Sequence, residues 1–569
     1  MTEANRPEDN QFDNADYGST IDESRSSAIE ESNVLDERSD EDRVSSWLSI
    51  TGRLALLAAI FLFLLQGSNK PTATTNPQSN HNLHQVKMLG KVKRSPSDTP
   101  FVFSQRVDHL DDSNQDTFQQ RYYRKSEFFK GPGHPIFLIN GGEGAMNEGL
   151  FYPFVDTFLA KKFGAYVLHP EHRFYGQSQP VDALLLTHDD LKKYHTARQA
   201  MLDFITIVKT YQEKLGCSPH KHSKHYCPVI SVGGSYPGFL SAVMRLHYPD
   251  TIDIGYASSA PLLLYSMDAD QWGYMEKVTK VTDSARPGCA EAVRQTLAEV
   301  HEAILASDDY VQFAHEKLNV CPGTLPVYIH SNDLLSKEAM MIVEYTFADM
   351  NMGFYPPDDT TDLVFTCDRI FQNETMDSFG KIQEFWKHLE DNIDTTLPCF
   401  DMSSQMPDGP RATISGSDWS GVGPGYDGMM FDFHCCSTLT PALGFSHKSM
   451  FPYRKWTLEW LTEHCLDRFD VVPDPLKLVH EFKFDDLVGQ GASRILFTNG
   501  MNDIWSEGSY LESLSDSIIA INMPNGAHHS ELYYMNEDGI DTDDVMQAHD
   551  DIADVLEGWL KEIKKKMVH

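Results

Sequence analysis

A hydroxyl, an imidazole and a carboxylate can together break an acyl bond when the base activates the hydroxyl and the carboxylate orients the base. The chain offers such a set. Val229-Ile-Ser-Val-Gly-Gly-Ser-Tyr-Pro-Gly238 reads as a strand, a tight glycine turn and the start of a helix, with Ser235 at the apex. The small Gly233 and Gly234 let a strained turn form against its neighbours. The N–H of Tyr236, at a helix N-terminus, can bind a developing oxyanion. Far downstream, Thr498-Asn-Gly-Met-Asn-Asp-Ile-Trp505 places Asp503 in the loop after an apolar run. Asn525-Gly-Ala-His-His-Ser530 then supplies His528 and His529. The order serine, acid, histidine, each in a loop, fits a catalytic triad, with either histidine able to serve. The bland alternative makes Asp503 a turn cap and the histidines surface residues.

These side chains need a scaffold that brings distant segments to one edge. Pro135-Ile-Phe-Leu-Ile139, Ala165-Tyr-Val-Leu168, Pro228-Val-Ile-Ser-Val232, Ile252 to Ala257, Arg494-Ile-Leu-Phe-Thr498 and Ser517 to Met523 read as short apolar strands. Thr196 to Leu215 carries Ala200, Phe204, Ile207, Val208 and Tyr211 at helical spacing, and Phe239 to Tyr248 is helical again. Continuous apolar strands alternating with helices predict an α/β fold with a parallel sheet covered on both faces. Sites in such sheets lie in the loops after the strands. Between about 263 and 480 the alternation gives way to long acidic helical stretches, such as Ala290 to Ala306 and Glu338 to Asp349. That stretch reads as an inserted helical cap. The flanking pieces, 100–262 and 481–569, total 252 residues, the size of one α/β domain.

Of 569 residues, 41% are apolar, and 47 Lys and Arg face 83 Asp and Glu for a net charge of −36. Global disorder is excluded, and so is a nucleic-acid binder that works by neutralising phosphates. Residues 1–46 hold 14 acids and four arginines and read as a disordered acidic tail. Trp47 to Gln66 follows, with 12 uninterrupted apolar residues from Leu54 to Leu65. An n-region of this length is abnormal for a cleaved signal, so 47–66 reads as a signal anchor. Arg38, Arg43 and Arg53 precede the apolar core and only Lys70 closely follows it, which orients the N-terminus to the cytosol. The body would then be lumenal or extracellular, tethered by a polar stalk over 67–99. Lys91-Val-Lys-Arg94 within that stalk is either an ordinary solvated cluster or a processing site that releases a soluble form.

At this point the motifs become specific. Phe103-Ser-Gln-Arg-Val-Asp-His109, Phe118-Gln-Gln-Arg-Tyr122, Gly142-Glu-Gly144, Glu171-His-Arg-Phe-Tyr-Gly176, Gly233-Gly-Ser-Tyr236, Ser259-Ala-Pro261, Asn499-Gly500 with Asp503 and Trp505, and Gly526-Ala-His-His529 stand in order over about 101–566. Together they resemble the prolyl-specific serine peptidases, the family of lysosomal Pro-X carboxypeptidase, dipeptidyl peptidase II and thymus-specific serine protease. The resemblance implies an α/β-hydrolase fold whose helical cap shapes a proline pocket, and makes His528 the catalytic histidine. It also implies disulfides Cys289–Cys367, Cys321–Cys399 and Cys436–Cys465. Cys217 and Cys227 flank one His/Lys-rich loop and could close it locally, which leaves Cys435 over. His220, His222 and His225 in that loop read as solvated, and Asn373-Glu-Thr375 is an N-glycosylation acceptor.

The sequence departs from the family at Pro237, where the family has Gly, and at Ile504, where it has Pro. His434 and Thr438 stand where the family has Gln and Glu. The expected activity is a serine exopeptidase that cleaves short proline-containing peptides, with Ser235 as nucleophile, His528 as base and Asp503 as its orienter. Backbone N–H groups of Tyr236 and of Gly142 in the 141–144 loop would hold the oxyanion, and no metal or organic cofactor is required. The alternatives are a dipeptidyl peptidase II-like aminodipeptidase, an esterase, and a non-catalytic binding protein on the same scaffold. A homodimer is compatible with each.

Overall fold

The computed structural model describes residues 99–146, 152–182, 185–326, 329–392, 398–402, 426–535 and 539–567. The acidic tail, the apolar segment 47–66, the Lys91–Arg94 cluster and nearly all of the stalk lie outside the described residues. Among the described residues, no helix is long and apolar enough to cross a membrane.

Eight strands form one mixed sheet in the order β1-β2-β4-β3-β5-β6-β7-β8. They are β1 (Phe101–Arg106), β2 (Thr117–Lys125), β3 (Ile136–Ile139), β4 (Tyr166–Pro170), β5 (Val229–Gly234), β6 (Ile254–Ser258), β7 (Ile495–Gly500) and β8 (Ile518–Met523). From β4 to β8 every pairing is parallel, while β1, β2 and β4 pair antiparallel. Strands buried on both sides need apolar residues at every position, and the alternation sends them to opposite faces. Ile136, Leu138, Val229, Ile495 and Phe497 enter one core. Phe137, Ile139, Ile230, Val232 and Leu496 enter the other. Helices α1 (Ala197–Lys214) and α2 (Tyr236–His247) cover the first face through Phe204, Ile207, Phe239 and Val243.

The antiparallel edge was not legible as strand. β2 alternates exposed Thr117 and Gln119 with buried Phe118 and Gln120, then buries a run of polar and aromatic residues. Its buried polar groups are tied sideways: Gln105 and Gln120 bond each other at 3.0 Å, and Gln120 donates to Glu171 O at 2.8 Å.

The segment between β6 and β7 is helical but does not pack as one body. Helices α3 (Gly273–Ala285), α4 (Cys289–Leu305), α5 (Asn332–Met352) and α6 (Ser378–Asn392) share an apolar core of their own, which also takes in Ile504 and Trp505. Helices α7 (Tyr426–Ser437) and α8 (Leu458–Phe469) instead place Met430, Phe431, Leu461 and Phe469 in the main core beside α1 and α2. The last helix, α9 (Asp543–Lys565), closes the other face with Val545, Ile552, Leu556 and Trp559. Disulfides join Cys217 to Cys227, Cys289 to Cys367, Cys321 to Cys399 and Cys436 to Cys465, and Cys435 is buried outside these disulfides.

Candidate active site

Ser235 follows β5 and takes the N-cap position of α2 with φ 62° and ψ −132°, a strained conformation for a residue with a side chain. The strain is enforced by packing. A Cβ on Gly233 would lie 2.3 Å from the carbonyl carbon of Pro237, because the helix starts directly over the strand it has just left. Ser235 N donates to Ser258 O at 2.9 Å, and Phe239 N to Ser235 O at 3.1 Å, so both sides of the turn are held. Pro237 sits in the first turn of α2, where a missing N–H costs nothing. Its ring is in contact range of the β3 loop: a Cβ on Gly142 would lie 2.9 Å from Pro237 Cγ. The departure at 237 is therefore absorbed by Gly142.

The loop after β3 is fixed on the same turn. Buried Asn140 donates from Nδ2 to Ser231 Oγ at 3.0 Å, to Ser241 Oγ at 2.8 Å and to Pro237 O at 3.2 Å. Glu171, fully buried, pairs with Arg121 and accepts from Met146 N at 2.9 Å and Ser178 Oγ at 2.6 Å. These bonds tie Asn140, before the 141–146 loop, to Pro237 at the start of α2, and Met146, at its end, to Glu171. Sequence pattern alone assigns no role to Asn140 or Glu171. A buried polar residue at the end of an apolar run is the signal that marks them.

Asp503 is fully buried at the end of the β7 loop and caps the short 3₁₀ helix Ile504–Gly508, accepting from Trp505 N at 3.0 Å through Oδ1. Its other oxygen, Oδ2, meets His528 Nδ1 at 2.9 Å. Capping and base orientation thus use separate oxygens of one carboxylate. The two loops are joined as well: Asn502 N donates to Gly526 O at 2.9 Å, and His528 N donates to Met352 O at 3.2 Å at the end of α5. His529 turns the other way. A Cβ on Gly234 would lie 2.7 Å from its ring, and it meets Tyr152 edge-on at a centroid distance of 6.0 Å.

Behind the elbow lie three buried histidines. His172 bonds Tyr236 OH through Nε2 at 3.1 Å, His434 Nδ1 lies 3.3 Å from Tyr175 OH, and His195 stacks on His434 at 3.7 Å. Burial holds all three neutral, with His172 pushed down to about 4 and His195 and His434 well below the ordinary histidine value. Thr438 is buried one turn on, its N donating to His434 O at 2.8 Å. The residues where the sequence leaves the family pattern are thus packed inside. Among the described residues, one group has metal-ligand spacing: Asp432, Cys436 and His464. Cys436 is spent in its disulfide, and Asp432 is paired with Arg468 at 2.8 Å, so the set does not suit an ion.

A serine on a strained strand-to-helix turn of an α/β sheet, with an aspartate–imidazole pair in the loops after later strands, is the layout of serine hydrolases with a nucleophile elbow. Residues 105–552 match the serine carboxypeptidase S28 family, and the chain belongs to it. It is a serine-type peptidase. Its relatives include the lysosomal Pro-X carboxypeptidase of Homo sapiens, 24% identical over 90% of this chain and 98% of that protein. The Mus musculus enzyme of the same name is 26% identical over 83% of this chain and 91% of its own length. The thymus-specific serine protease of Mus musculus is 25% identical over 81% and 87%.

Proposed function

We propose that Ser235, Asp503 and His528 form the triad of an exopeptidase that cleaves short peptides beside proline. The observation that carries this reading is the 2.9 Å contact between Asp503 Oδ2 and His528 Nδ1, on loops of the sheet edge that ends in the strained Ser235 turn. His528 Nε2 takes the proton as Ser235 Oγ attacks the carbonyl, and returns it to the leaving amine. Asp503 holds the imidazole in the tautomer with Nδ1–H and stabilises its charge. The N–H groups of Tyr236 and Gly142 receive the oxyanion, and water then resolves the acyl-enzyme. Family membership and the relatives named Pro-X carboxypeptidases support the substrate class.

An α/β-hydrolase scaffold with a helical cap would admit short peptides and exclude folded proteins. Four disulfides fit an oxidising lumen or exterior. The apolar segment 47–66, with arginines on its N-terminal side, would anchor the body there as a type II protein. Protease protection in sealed microsomes tests the topology, and digestion of the body from outside would refute it.

The one or two methylenes that alanine leaves unfilled in an apolar slot are worth about 1–3 kcal/mol together, so proline should beat alanine before the cleaved bond by roughly 10- to 200-fold. Matched X-Pro-Y and X-Ala-Y peptides, followed by mass spectrometry, measure this. Equal kcat/KM for the two series removes proline specificity. Release of N-terminal dipeptides replaces carboxypeptidase with aminodipeptidase action.

A further inference from the structure

Three segments must meet within a fraction of an ångström for a triad to work, and each leaves the sheet at a strand end, where backbone pairing stops. One buried carboxylate sits at that junction. Glu531, three residues after His528, is fully buried. Its Oε1 accepts from Ser258 Oγ at 2.6 Å, from Thr498 Oγ1 at 2.6 Å and from Tyr256 OH at 3.2 Å.

Two of the donors, Ser258 and Thr498, lead to different parts of the site. Ser258 is the last residue of β6, pairs with Gly234 across β5, and accepts the N–H of Ser235 at its own carbonyl. Thr498 pairs with Ser258 from β7 and lies in the strand that runs out to Asp503. The next residue, Ser259, donates its N–H to Thr498 O at 2.8 Å and accepts His529 N at Oγ at 3.0 Å. Glu531 O accepts from His549 Nε2 on α9 at 2.7 Å, which fixes the backbone from below.

We propose that Glu531 is a positioning residue: its carboxyl ties the strand ends that lead to Ser235 and Asp503 to the loop that carries His528. The proposal rests on the triad reading above. A buried carboxyl is costly to keep, and an apolar residue of similar size would fill the space more cheaply. What the apolar residue lacks is one acceptor for three hydroxyls on two neighbouring strands. Without it those buried hydroxyls lose their acceptor, and the loop and strand ends are free to part. Burial pushes the Glu531 carboxyl above its ordinary value, against the hydroxyls of Ser258 and Thr498 that favour its charge. The anchoring oxygen needs only to accept, so a neutral amide can take its place.

The test compares Glu531→Ala and Glu531→Gln with wild type and Ser235→Ala, reading kcat and KM on a fluorogenic X-Pro peptide per folded molecule. A misplacement of about 1 Å costs on the order of 10²-fold in rate. Glu531→Ala is expected to lose kcat by about that factor with KM unchanged, and Glu531→Gln to recover most of it. Wild-type kcat in Glu531→Ala, or Glu531→Gln as slow as Glu531→Ala, overturns the proposal. If Glu531→Ala does not fold, the double variant Ser258→Ala, Thr498→Val removes two donors and keeps the carboxyl. Its kcat should fall with KM preserved, and unchanged kcat overturns the proposal equally. Full turnover by Ser235→Ala would instead overturn the triad reading. A dead Ser235→Ala beside a wild-type-like Glu531→Ala overturns the positioning role alone.

Discussion

His528 and His529 are adjacent in sequence, and their rings lie 4.4 Å apart, yet they face different partners. Only His528 has a carboxylate on Nδ1, and a base without that orientation spends part of its time in the wrong tautomer. His529 is packed by Tyr152 and Tyr533 and lies against the Gly234 backbone, which on the proposed triad leaves it to support the turn. We expect His528→Ala to lower kcat on the order of 10⁴- to 10⁶-fold with the fold intact. His529→Ala should lower the melting temperature and leave most of the turnover. Steady-state kinetics beside thermal melts read both, and the reverse ranking would shift the base by one residue.

On the proposed triad, the element that presents Ser235 is the β5–turn–α2 unit, and its geometry depends on glycine. At Gly233 a methyl group meets Pro237 backbone at 2.3 Å, which no rotamer change relieves. Gly558 in α9 has nothing within 4 Å of the same position. Gly233→Ala is therefore expected to cost about 1–3 kcal/mol or more and to abolish labelling of Ser235 by a fluorophosphonate. Gly558→Ala should stabilise by about 1 kcal/mol through helix propensity and leave labelling intact. Urea unfolding and the labelling assay check the pair; a tolerated Gly233→Ala would mean that the turn is less constrained than its contacts imply.

The molecule as a whole carries a pH signature. Among the described residues, burial lowers five histidines: His169 to about 3, His172 and His549 to about 4, and His195 and His434 well below 6.5. In the unfolded chain each titrates near 6.5, so as pH falls from 6.5 toward 4 the unfolded state takes up protons that the folded state refuses. Stability falls through that window. Asp541 works against this: burial raises it to about 6, so the folded state takes its proton first and gains stability as pH falls from about 6 toward 3.8. Buried Glu344 and Glu531 are raised in the same sense. His434→Gln, which restores the residue of the resembled family, removes one of the five opposing groups. Its melting temperature should fall less between pH 7 and pH 5 than that of wild type, by calorimetry. Parallel slopes would show that His434 is not held neutral.

The sequence by itself determined the parallel strands, the elbow serine, the acid loop and the histidine loop. Each is a local pattern: an apolar run long enough for one buried strand, ended by residues that only a tight turn or a loop accepts. Pro135–Ile139 and Arg494–Thr498 became β3 and β7 with small changes at their ends. Tertiary structure alone decided the rest. The antiparallel strands β1 and β2 carry polar residues satisfied by partners distant in sequence, such as Glu171, so no local period announces them. The helices between β6 and β7 read as one cap because no strand–helix alternation interrupts them. Which core each apolar stripe enters depends on neighbours that sequence spacing does not encode, and α7 and α8 went to the sheet side. The choice of His528 Nδ1 for Asp503, and the meeting of three hydroxyls on Glu531, are likewise products of packing. They depend on where β5, β6 and β7 end relative to one another, and strand register is fixed by the assembled sheet.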